Sequence, residues 1–116
     1  MRDLAMQISG VLAILVAVAH GVIGETRVFA RAHIEPASVR RLLRGVWQCG
    51  ALAWLAGGVL LLVAPTLPGD AARGWIVAVL VPVYAAGAIG NAWATRGRHF
   101  GWIAMTAVIA FALGGL

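Results

Sequence analysis

Leu4-Ala5-Met6-Gln7-Ile8-Ser9-Gly10-Val11-Leu12-Ala13-Ile14-Leu15-Val16-Ala17-Val18-Ala19-His20-Gly21-Val22-Ile23 contains no charged side chain apart from the titratable imidazole of His20. At about 1.5 Å per residue, such a helix covers a hydrocarbon core of about 30 Å. Three further apolar runs follow, Val46–Ala64, Trp75–Ala94 and Phe100–Leu116. Each run is roughly 17–20 residues long, and the fourth is the shortest. The whole chain has 116 residues, 62% hydrophobic and 11% charged, with a mean hydropathy of +0.94. Soluble domains average about 45–50% apolar and about a quarter charged. A chain this short buries too little of its surface to hide the excess from water. The composition excludes a soluble globular domain, and equally a disordered segment. The reading is a single all-α domain over residues 1–116: a polytopic membrane protein with four transmembrane helices in an up-down bundle.

The spans are expected at about 4–26, 37–64, 71–95 and 99–116, with an arginine-rich loop at 27–45. Part of that loop is itself helical in pattern. Glu35-Pro36-Ala37-Ser38 reads as a helix start with proline in the first turn, so helix two begins near Pro36 and enters the bilayer around Trp47. Pro65 and Pro68 stop helix two, and Asp70 is the expected N-cap of helix three. Thr95-Arg96-Gly97-Arg98-His99 joins helices three and four as a hairpin. Ala17-Val18-Ala19 also fits a signal-peptide cleavage site, which leaves N-terminal processing open. The apolar run continues through Val22-Ile23, however, as a spanning helix requires.

All basic residues are arginine, a usage that goes with GC-rich bacterial genomes. Arg27, Arg31, Arg40, Arg41, Arg44, Arg96 and Arg98 fall on one side of the membrane, and Arg2 and Arg73 on the other. The positive-inside rule then places both termini on the periplasmic side of a bacterial inner membrane. The seven arginines on the cytoplasmic side are candidate contacts for anionic lipid headgroups or a partner. This bias accounts for the formal charge of +5, so nucleic acid is not expected as a partner. Cys49 is the only cysteine, which excludes an internal disulfide.

Small residues that let helices approach closely mark packing seams in lipid. Cys49, Ala53 and Gly57 form one such stripe on helix two; Pro82, Ala86, Gly90 and Ala94 form another on helix three. Trp47, Trp75, Trp93 and Trp102 fall near the predicted interfaces as an aromatic belt, and Trp54 lies deeper. Pro82 is expected to kink helix three.

The polar residues gather in the cytoplasmic half. His20, Glu25, Asn91 and His99 form the candidate pocket, with His33 and Gln48 in the same zone. His20, Gly24, Arg27 and Arg31 share one helical face. The opposite half holds little beyond Gln7, Ser9, Tyr84 and Thr106. The simplest role for His20 is a hydrogen bond to Asn91 or to a backbone carbonyl, and for Glu25 an ion pair with Arg44 or Arg96. His20, His33 and His99 are weak candidates for a metal, because their spacing matches no metal motif. His20 and His99 are a weak pair for a b-type haem. No cofactor is expected, and no catalytic residue is identified.

His20-Gly21-Val22-Ile23-Gly24-Glu25, the arginine-rich segment into Val46-Trp47, and Trp93-Ala94-Thr95-Arg96-Gly97-Arg98-His99-Phe100 together resemble small four-helix bacterial inner-membrane proteins of no assigned activity. The resemblance implies a fold and a location, and no chemistry. It does not extend to the four-helix small multidrug transporters, whose functional glutamate lies mid-membrane in helix one; Glu25 sits at that helix's end.

The expected function is that of a non-enzymatic accessory or assembly subunit, packing against itself or a larger membrane complex. A small transporter or channel, with His20, Glu25 and Asn91 lining a path, is one alternative. A metal- or haem-binding redox protein using the histidine cluster is the other.

Overall fold

The computed structural model describes residues 1–116 and is all-helical. Helix α1 runs from Arg2 to Arg31, α2 from Ala37 to Thr66 and α3 from Asp70 to Thr95, and each is long and apolar enough to cross a membrane. Helix α4, Gly101–Gly114, has 14 residues. At about 1.5 Å per residue it reaches about 21 Å, short of a hydrocarbon core. Four helices are present as expected, but only three of them are long and apolar enough to span a membrane. The helices alternate in direction within a body of 50 × 26 × 19 Å.

The connection between α1 and α2 is much shorter than the loop expected at 27–45. Helix α1 passes through a π-helical turn at Gly24–Val28 and a last turn at Phe29–Arg31. Helix α2 resumes at Ala37. Arg27 and Arg31 are therefore helical, as are Arg40, Arg41 and Arg44. Pro36 precedes α2 as its N-cap residue, with extended backbone, and is not in the first turn. At α3 the N-cap is Gly69, with φ +82°, and Asp70 is the first helical residue without a side-chain capping bond. Only glycine takes that φ without strain, so the turn's geometry moved the cap by one position. Asp70 lies instead 3.6 Å from Arg2. Helix α3 is unbroken across Pro82, which is exposed. It ends with Arg96 in the left-handed region and the Gly97 N–H bonded to the Ala92 carbonyl at 2.7 Å, a Schellman-type stop.

Around the bundle the helices follow the order α2, α1, α4, α3, and α2 meets α3 only over a short stretch. The α1–α2 seam explains this order. A Cβ on Gly10 would lie 2.5 Å from the Leu62 backbone nitrogen and 2.8 Å from the Gly58 carbonyl; one on Gly58 would lie 2.9 Å from the Ile14 nitrogen. The two helices touch backbone to backbone, with Ala13, Ala17 and Ala51 buried along the same line. On the other side of α1, the buried Ser9 hydroxyl donates to the Val108 carbonyl of α4 at 2.7 Å. The buried set Met6, Leu61, Val77, Tyr84 and Val108 fills the space between all four helices.

The expected stripes are offset from this seam. Cys49 and Ala53 are exposed and only Gly57 is buried. On α3 the buried residues are Val77, Leu80, Tyr84 and Ala88, whereas Pro82, Ala86, Gly90 and Ala94 are exposed. Small size marks where a helix can approach closely, but which face is used depends on the partner helix's position.

Gly10→Ala forces the α1 and α2 backbones apart, and overpacking of this kind destabilises by about 1–3 kcal/mol. Gly90→Ala meets nothing within 4 Å, and the higher helix propensity of alanine stabilises by up to about 1 kcal/mol. Thermal unfolding of the two variants in one detergent is expected to move in opposite directions.

Candidate functional site

The arginine-rich end of the bundle holds a cavity of about 380 Å³. Its back wall comes from α1 and α4, and its flanks from Trp47 and Trp54 on α2 and from Gly87, Gly90, Asn91, Ala94 and Thr95 on α3. The helices flanking it join below the cavity, where Gly57 meets Leu80 and Tyr84 and the Tyr84 hydroxyl donates to the Trp54 carbonyl at 2.7 Å.

Of the expected pocket residues, His20, Asn91 and His99 line this cavity. Glu25 does not. Its carboxylate points along the opposite side of the α1–α2 contact, accepting from Arg44 Nε at 3.0 Å and Gln48 Nε2 at 2.7 Å. Arg44 Nη2 lies 2.5 Å from the second carboxylate oxygen. His33 is exposed in the connection between α1 and α2. Arg27 and Arg31 are exposed and do not join His20, because the π-turn intervenes and changes the helical register. No group of three or more His, Cys, Asp or Glu side chains is arranged to hold a metal ion.

His20 is held by aromatic rings. Its imidazole stacks on Trp47 at 4.2 Å with an interplanar angle of 4°, and lies 4.6 Å from Trp54 at 51°. Its expected bond to Asn91 does not form. Instead the Trp47 indole N–H donates to the His20 carbonyl at 2.9 Å, and the Gln48 amide donates to the Gly21 carbonyl at 3.2 Å. Both carbonyls sit just before the π-turn, where helical hydrogen bonding is irregular and outside donors are useful. Gly24 makes this approach feasible, since a Cβ there would stand 2.2 Å from the Trp47 indole nitrogen. Trp47 is accordingly half-buried against α1, and Trp54, also half-buried, packs 6.5 Å from Tyr84. Trp75 and Trp93 are exposed, at 73% and 84%.

Asn91 and His99 have structural work at the start of α4. A helix leaves its first N–H groups without partners. Here the Gly101 N–H donates to His99 Nδ1 and the Trp102 N–H to Asn91 Oδ1, both at 3.1 Å. Thr95 bonds the Asn91 carbonyl through its hydroxyl at 2.7 Å. The signal for this arrangement was the sequence Asn91-x-x-x-Thr95 beside a glycine-led helix; what concealed it is that the cap comes from another helix.

Arg40 donates to the Phe29 carbonyl and Arg44 binds Glu25. Arg27, Arg31, Arg41, Arg96 and Arg98 are exposed and make no ion pair in the chain. At the other end Arg73 is bound by Asp3 at 2.6 Å and by the Gly115 carbonyl at 3.1 Å.

Comparison of the chain with protein-family models, with curated proteins and with solved structures found no match.

Replacing Asn91 by Ala removes the acceptor for Trp102, and loss of a helix cap costs about 0.5–2 kcal/mol. Asn91→Asp keeps an acceptor and places a negative charge at a helix N-terminus, where it is favoured. Denaturant titration in detergent is expected to rank the aspartate variant clearly above the alanine variant.

Proposed function

We propose that the chain is a non-enzymatic integral membrane protein of the bacterial inner membrane, an accessory or assembly subunit that packs against a larger membrane complex or a second copy of itself. Both termini lie on the periplasmic side, and the arginine-rich end contacts anionic headgroups in the cytoplasmic leaflet. The resemblance of His20–Glu25 and Trp93–Phe100 to small four-helix inner-membrane proteins fits this placement. The observation that carries the reading is the open bundle. Helices α2 and α3 meet only briefly, and the small residues Cys49, Ala53 and Ala86 face outward, unused by the chain's own packing. Such positions admit a further helix closely.

The charge distribution supports the orientation. Arg2 and Arg73 are balanced by Asp70 and Asp3 at one end. The formal +5 therefore resides at the other, where seven arginines face only Glu25 and Glu35. A transport path requires polar groups through the full depth. In the terminal half, the hydroxyls of Ser9 and Tyr84 are committed to backbone carbonyls, as is that of Thr106. That weighs against the channel alternative. The redox alternative is favoured by one feature, that His20 and His99 line a single cavity.

Purification from native membranes in mild detergent is expected to bring down a stoichiometric larger membrane protein, identified by mass spectrometry. Failing that, oxidation in membranes is expected to give a dimer linked through the exposed Cys49. A monodisperse single chain in both assays sinks the subunit reading. A Soret band or stoichiometric metal in the same preparation supports the redox alternative. For the orientation, alkaline phosphatase fused after Leu116 is expected to be active, and inactive when inserted between Arg31 and Ala37.

A further inference from the structure

We propose that the cavity between α2 and α3 is a binding site for a neutral, lipid-soluble molecule bearing a hydrogen-bonding head such as a hydroxyl or carbonyl. Its volume of about 380 Å³ falls within the range of small-molecule pockets, about 300–1,000 Å³. No arginine, aspartate or glutamate lines it. A charged ligand would lose its hydration there without gaining a countercharge, so the chemistry selects a neutral one.

The polar groups on its walls divide into occupied and free. Asn91 Oδ1, the Thr95 hydroxyl and His99 Nδ1 are engaged in the chain. His99 Nε2 is not, and because Nδ1 accepts from Gly101, Nε2 carries the proton of the neutral ring. His20 makes no hydrogen bond through either ring nitrogen. No buried side-chain nitrogen or oxygen lacks a partner, so these nitrogens are not sealed in, and the residue that bears them lines the cavity. Its ring is fixed by Trp47 and Trp54, which orients a donor and an acceptor before any ligand arrives. Opposite, a Cβ on Gly90 would meet nothing within 4 Å, leaving room for an apolar body. Ile89 and Trp93 flank this wall at 70% and 84% exposure, so the tail emerges along an apolar surface. Entry from the bilayer rests on the membrane placement proposed above; the binding itself does not.

The test uses the full chain in phosphatidylcholine nanodiscs, with Trp75, Trp93 and Trp102 each replaced by Phe so that emission comes from Trp47 and Trp54. A dodecanol brominated beside its hydroxyl end, so that the bromine reaches Trp47 and Trp54, is the probe, compared with a bromododecane and a dodecanoate brominated at the same position. Saturable quenching is expected with the alcohol, about fivefold tighter than with the alkane, as one hydrogen bond supplies. His20→Phe preserves the stack and is expected to erase the alcohol's advantage. Gly90→Leu fills the space and is expected to weaken both about tenfold, with helicity unchanged by circular dichroism. If either variant misfolds, unlabelled dodecanol must restore the parent's emission. Linear, non-saturating quenching that dodecanol does not reverse overturns the site, and tighter binding of the carboxylate overturns its neutral class. Because these readouts need no partner protein, their failure leaves the subunit reading standing, and the converse also holds.

Discussion

The backbone contact between α1 and α2 at Gly10 and Gly58 governs the rest of the structure. With no side chain between them, the helices lie so close that a Cβ on either glycine would overlap the other backbone. Dispersion falls steeply with distance, so such contact is a strong source of packing where no hydrophobic drive operates between helices. Farther along the same seam it seats Trp47 over Gly24 and against His20. The clamp on His20, the bonds to the carbonyls before the π-turn and the narrow α1–α2 groove holding Glu25 follow from that one line of approach.

A second constraint, in the membrane placement proposed above, is the need to satisfy polar groups internally. Nearly every polar side chain in the body of the bundle is spent on the backbone. Ser9 bonds Val108, Tyr84 bonds Trp54, Gln48 bonds Gly21, and Asn91 and His99 cap α4. What looks in sequence like a cluster of functional polar residues is mostly the hydrogen-bonding needed to join four helices. His20 stands apart, because its ring is positioned by aromatic contact and its nitrogens are left for something else.

The two ends differ in their electrostatics. At the terminal end, arginine and aspartate pair, and Arg73 ties α3 to both Asp3 and the Gly115 carbonyl. At the opposite end five arginines have no partner in the chain. Exposed pairs contribute little to stability, so the asymmetry bears on orientation and surface contact more than on folding.

Apolar runs of this length determined the helices, because hydropathy and chain rise are properties of consecutive residues. Likewise, Pro36 marked where helix two starts, and Pro65 and Pro68 where it stops. The grouping of His20, Asn91 and His99 was legible too, since antiparallel helices with short connections bring their ends together. Helix rotation was not. Whether Cys49 and Ala53 or Ala51 and Gly58 face the seam depends on where the neighbouring helix lies, and every face of these helices is apolar enough for either. The same freedom concealed that Glu25 turns away from His20, that Trp47 packs on His20, and that α1 widens into a π-turn beside two carbonyls that accept donors from α2. Composition and periodicity act along one chain segment, whereas rotation is set by contacts between segments, and only the tertiary structure decided those.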